Sequence, residues 1–177
     1  MIDSAILPAR DYNTIPDFNE NQAQLFDRVS RDTLVTLGEI FIKHGVASNF
    51  GVHLLHHHFP IPDGTIMLYN YDDFDMEICS ITPLDQVSGM RVRGRNFRVN
   101  ETGRFVAYEY DIGDEFRPSH EFLVELSDHI IKNDLQDFLS LEYDPTPWDD
   151  RQRSEYIINC TALVKVRKTL PKSPTAT

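Results

Sequence analysis

The stretch MRVRGRNFRVNETGRFVAYEYDI, residues 90–112, decides the fold. Two runs rich in β-formers, 90–99 and 104–112, flank Asn100-Glu101-Thr102-Gly103, four residues that favour tight turns. The segment therefore predicts an antiparallel hairpin. Strict alternation along its second strand sets Val106, Tyr108, Tyr110 and Ile112 on one face, with Phe105, Ala107, Glu109 and Asp111 on the other.

Outward from the hairpin, Thr65–Tyr71 and Met76–Ile81 read as two further strands around the acidic loop of Asp72, Asp73 and Asp75. Tyr156–Val166 reads as one long strand near the C-terminus. Leu25, Val29, Thr33, Leu37, Ile40 and Phe41 recur at spacings of three and four, which predicts one helix from a cap at Asn19 or Asn21 to His44. Phe122, Leu123, Leu126 and Ile130 repeat the pattern behind Pro118-Ser119. A turn or short helix is expected over 135–141, ahead of the Pro145/Pro147 loop that carries Trp148. Helix, strands, helix, strand without regular alternation is the order of an α+β protein. The expected architecture is a single domain, an antiparallel sheet covered on one face by two main helices. Its expected bounds are an extended arm over 1–18, the domain over 19–168 and a flexible tail over 169–177.

Length and charge narrow the function. A chain of 177 residues supports one hydrophobic core. With 17 Lys plus Arg against 28 Asp plus Glu, the net charge of −11 repels phosphate backbones and argues against nucleic-acid binding. No apolar run is long enough to span a bilayer, and the opening MIDSAILPARDYN lacks the pattern of a secretory signal. A soluble cytoplasmic protein with no membrane partner is expected; a homodimer is compatible with the sequence. Cys79 and Cys160 lack metal-type spacing and read as isolated buried thiols.

The chemistry concentrates in one place. His53, His56, His57 and His58 fall within six residues, and imidazole both ligates transition metals and transfers protons near neutrality. A helical segment would bring His53 and His57 to one face; an extended one would aim His56 and His58 together and His57 away. Either geometry supplies two ligands, so a third group must come from elsewhere, with Glu109, Asp111, His120 and Glu77 as candidates. Arg91, Arg93 and Arg95 would share a strand face as a guanidinium row for an anionic ligand, or as a solvated face paired with acidic neighbours. Glu109 between Tyr108 and Tyr110 would suit proton transfer if buried.

The element Leu54-Leu55-His56-His57-His58-Phe59 resembles the Leu-Leu-His-x-His-Phe element of a group of small, uncharacterised, apparently fungal proteins. The similarity extends to Arg10-Asp11-Tyr12-Asn13 and the helix that follows, about the first third of the chain. His56 and His58 match the two motif histidines and His57 the free position. The resemblance implies no activity, but it favours the His56/His58 pair. The functional expectation is a small enzyme of hydrolase, lyase or isomerase type acting on a small organic substrate. His56, His58 and Glu109 are its catalytic candidates, Arg93, Arg95 and Tyr108 its substrate-binding candidates. His56 and His58 are its candidate ligands for a divalent metal such as zinc or iron. The alternative is a non-catalytic module that binds a ligand or protein through the arginine strand.

Overall fold

The computed structural model describes residues 2–3, 5–71, 77–114, 116–145, 152–158 and 161–167. The acidic loop, Trp148, Cys160 and the C-terminal tail lie outside the described residues. In chain order the elements are β1 (Ile2–Asp3), α1 (Ala9–Tyr12), α2 (Phe18–Arg28), α3 (Arg31–Lys43), β2 (Phe50–Leu54) and β3 (Thr65–Tyr71). There follow β4 (Glu77–Pro83), β5 (Val92–Val99), β6 (Phe105–Ile112), α4 (His120–Lys132), β7 (Leu139–Tyr143), β8 (Gln152–Ile158) and β9 (Thr161–Arg167).

The strands form a single sheet in the order β2-β7-β5-β6-β3-β4-β9-β8, with β1 added on β6. The α+β class holds, but the sheet is mixed rather than antiparallel. Both β1 and β3 run parallel to β6, pairing Ile2 with Phe105 and Leu68 with Tyr110. Because β5 occupies the other edge of β6, β1 and β3 must share its remaining edge end to end.

Four features differ from expectation, the first two for local reasons. The single helix over 19–44 is two helices, since Val29 is extended (φ −111, ψ 102) and the Ser30 hydroxyl accepts from the Thr33 N–H to cap a new start. Asp17, not Asn19 or Asn21, caps the first of them, accepting from the Glu20 N–H at 2.9 Å. Residues 139–143 form a strand between β2 and β5, where the local pattern points to a turn or helix. The expected long strand over 156–166 is the β8–β9 hairpin, in which Ile158 pairs with Thr161.

The sheet buries side chains on both faces. Ile66 and Leu68 of β3 join Phe97, Phe105, Ala107 and Leu141 in one apolar cluster with Leu37, Ile40 and Phe41 of α3 and Phe122, Leu126 and Ile130 of α4. The alternate residues Met67 and Tyr69 must face the other way, and they pack with Tyr108, Cys79, Ala9, Tyr12, Ile15, Leu55 and Ile61. The second face is thus closed by residues 5–17 and the segment after β2. Far from an extended arm throughout, residues 1–18 contain the helical turn α1, and Tyr12 is only 1% exposed.

The hairpin departs from strict alternation. Gly94 pairs with Tyr110, Asn96 with Glu109 and Phe97 with Ala107, so Arg95 on β5 and Tyr108 on β6 are each an extra residue at a β-bulge. Beyond the bulges, Phe105, Ala107 and Tyr110 share the helix-side cluster, whereas Tyr108 belongs to the second face. The expected grouping of Tyr108 with Tyr110 is therefore broken. Gly94 permits this: a Cβ there would lie 2.8 Å from the Ala107 Cβ and collide with the Phe97 ring.

Gly94→Ala should lower unfolding free energy by ~1–3 kcal/mol through overpacking. Gly38→Ala, in α3 where an added Cβ would meet no atom within 4 Å, should raise it by roughly 1 kcal/mol. Chemical denaturation of both variants checks the contrast; equal effects would contradict the close packing at Gly94.

Candidate functional site

The second face carries a buried polar network centred on Glu109, which is 1% exposed. The paired bulges turn Glu109 toward the same neighbours as Tyr108, and both reach Tyr12. Its carboxylate accepts from the Asn96 amide at 2.7 Å, the Tyr69 hydroxyl at 3.0 Å and the Tyr12 hydroxyl at 3.4 Å. The His58 Nε2 lies 3.1 Å from Glu109 Oε1, with both side chains 1% exposed. These contacts are needed, because an unpartnered carboxylate in such a place would forfeit its hydration with nothing in return. Burial alone would raise the carboxyl pKa. The charge and hydrogen bond of His58 and the Asn96 amide outweigh it and hold Glu109 at about 2. Burial and the Glu109 charge push the Tyr12 phenol upward, so it remains a neutral donor.

The histidine segment is irregular after β2. Leu55 is pinned by its N–H to the Phe138 carbonyl at 2.8 Å and by Asn21, whose amide donates to the Leu55 carbonyl at 2.5 Å. His57 turns away and donates from Nδ1 to the Ile15 carbonyl at 2.6 Å. His56 donates from Nδ1 to the Leu54 carbonyl. Its ring stacks on His53 at 5.0 Å and meets His58 edge-on at 5.0 Å. The three rings form a row that ends at Glu109. The helical pairing of His53 with His57 does not occur.

A third donor arrives from β4. The Cys79 Sγ, a His58 ring nitrogen and a Glu109 oxygen all lie within 4.8 Å of one another, and all three residues are buried. That set of imidazole, thiol and carboxylate suits zinc, whose bonds of about 2.0–2.3 Å would need these atoms to close in only modestly. His56 stands beside this group and not in it. Cys79 is thus no isolated thiol. Its neighbours in sequence, Ile78 and Ser80, are ordinary strand residues and carry no metal signal, so spacing alone could not have found it.

The arginine row expected along β5 is not formed. Arg93 contacts the Asp111 carboxylate at 2.7 Å and lies over the Tyr143 ring on the helix side. Arg95, at the bulge, turns to the second face, is 0% exposed and meets Glu77 at 2.6 Å, Asp144 at 3.3 Å and Glu142 at 3.6 Å. Arg91 pairs with Asp114 at the surface. Of the other acid candidates, Glu77 and Asp111 are therefore taken up by arginines. His120 is exposed at the start of α4. Tyr108 donates its hydroxyl to Ser140 at 3.1 Å, inside the network rather than in an open pocket.

Comparison with known proteins finds no matching family model, curated protein or solved structure. The site has to be read from its own chemistry.

Acid should loosen this face. Burial holds His53 and His56 at about 4 against an ordinary 6.5, helped at His56 by the neighbouring imidazoles. The unfolded chain takes up these protons below about pH 6.5, the folded chain only near 4. Stability should be full above pH 6.5 and fall between 6.5 and 4, by up to ~1.4 kcal/mol per pH unit for each ring. Urea denaturation across that window should show a shallower fall in His53→Gln than in wild type; parallel curves would count against the assignment.

Proposed function

We propose that the protein is a small metal-dependent enzyme of hydrolase or lyase type, with His58, Cys79 and Glu109 as ligands of a divalent ion of the zinc class. The observation that carries the reading is the convergence of three chemically different donors from three separate segments of the chain. Two further features support it. Asn96 and Tyr69 hydrogen-bond the Glu109 oxygen Oε2, the kind of outer support that fixes a ligating carboxylate. Glu77, Glu109 and Asp144 are buried on the same face as the guanidinium of Arg95, and this excess of negative charge attracts a cation.

Three protein ligands leave one tetrahedral position open, and the chemistry such an ion supplies is activation of water near neutral pH. In this reading His58, Cys79 and Glu109 hold the ion, Asn96, Tyr69 and Tyr12 orient Glu109, and the substrate is a small organic molecule. Arg95 serves the carboxylate network and takes no substrate. The reading places the protein in the cytoplasm, in keeping with a chain of only two cysteines. The second reading is metal-free proton transfer by the His58–Glu109 pair, favoured by their 3.1 Å contact.

Elemental analysis of protein purified without a histidine tag separates the two. Close to one equivalent of zinc or iron is expected in wild type, and loss of at least about tenfold in affinity in Cys79→Ser and in His58→Ala. His57→Ala, whose ring points away, should keep its metal. Protein that neither carries nor takes up a divalent ion refutes the metal reading, and leaves Cys79→Ser without effect.

A further inference from the structure

We infer that a second site, separate from the metal-type cluster, binds a small zwitterion that carries a carboxylate and a protonated amine, as amino acids do. It is an open cleft of about 450 Å³ whose walls include Ile15, Leu55, Arg98, Glu101, Gln136 and Asp137. That volume suits a small metabolite.

Three properties of the cleft select the ligand. The first is Arg98. Of the arginines clustered on the hairpin, Arg91, Arg93 and Arg95 each have a carboxylate partner. Arg98 is partly buried, and no hydrogen bond or ion pair joins its side chain to any described residue. A guanidinium at the wall of a cleft, open to solvent and paired with no acid among the described residues, is a fork shaped for a carboxylate. The second is the sign of the rest. Glu101 and Asp137 outnumber the one arginine, so the lining is net negative and disfavours phosphates and other dianions. The same two carboxylates suit an ammonium group. The third is Gln136, whose carbonyl oxygen is shut off from solvent yet has no hydrogen-bond donor among the described residues. A buried acceptor left open costs about 1–3 kcal/mol, and a turn of the Gln136 side chain toward the cleft would offer that oxygen to a donor there. Ile15 and Leu55 supply an apolar wall for a hydrocarbon side chain.

The position of the cleft gives it a link to the first site. Phe97 and Val99 point to the helix-side cluster, so Asn96 and Arg98 project from the other face, the one that carries Glu109. The cleft therefore sits toward one end of the polar face, and its ligand need not touch the metal-type donors.

The test is saturation-transfer NMR of the full chain against the standard amino acids, followed by calorimetric titration of the best binder and of its des-amino and des-carboxy analogues. At least one amino acid should bind saturably, and each analogue should bind at least about tenfold more weakly. Arg98→Gln should weaken the amino acid by at least about tenfold, with Arg98→Lys between the two and metal content unchanged in both. Should Arg98→Gln fail to fold, the double variant Glu101→Gln, Asp137→Asn serves instead: it should weaken the amino acid and strengthen the des-amino analogue. No saturable binding up to about 10 mM, equal affinity for amino acid and analogues, or affinity indifferent to these substitutions overturns the proposal.

Discussion

A carboxylate sealed inside a protein has to be answered by donors, and the second face of this sheet is arranged around that demand at Glu109. Asn96 answers from β5, Tyr69 from β3, Tyr12 from the N-terminal turn and His58 from the segment after β2. Each donor belongs to a different stretch of chain, so the one charge ties the N-terminal residues and the histidine segment to the sheet. Two backbone irregularities make this geometry available. Were β5 and β6 to alternate regularly, Glu109 would share its side with Phe105 and Ala107, in the apolar cluster under α3 and α4. The extra residues Arg95 and Tyr108 reset the phase on both strands at once.

The two faces have divided the work of the fold. The helix side is closed by aliphatic and aromatic residues at helical spacing, and burial of that kind is non-directional and tolerant of detail. The other side holds Arg95, Glu77, Asp144, Glu109 and Ser140, all buried. Directional contacts of this sort add little net stability over an apolar filling, but any member left unmatched is expensive. In the proposed reading, the Cys79, His58, Glu109 cluster and the Arg98 cleft are the uses to which this polar interior is put.

Much of the framework was legible from local patterns. The hairpin around Asn100–Gly103 and the helix behind Ser119 follow from turn residues, a cap and apolar spacing, all of which act within a few residues. Where two local signals competed, the pattern misled: the apolar periodicity runs straight through Val29, and the Ser30 cap breaks it. The strand Leu139–Tyr143 was hidden because five residues carry no decisive period, and its pairing with β2 and β5 settles it. The parallel neighbours of β6 were likewise beyond local patterns, since strand direction is chosen between segments far apart.

In the candidate site, the sequence by itself determined that imidazoles would be concentrated beside β2, that His56 and His58 would lie near each other, and that Glu109 was worth testing with them. Spacing of one or two residues dictates such proximity whatever the rest of the chain does. Only the tertiary structure decided that Cys79 completes the group with His58 and Glu109, that Arg93 and Arg95 part to opposite faces, and that Arg98 stands without an acid among the described residues. Those outcomes depend on sheet order and on two bulges, which are set by how remote strands pack, and no window of neighbouring residues contains that information.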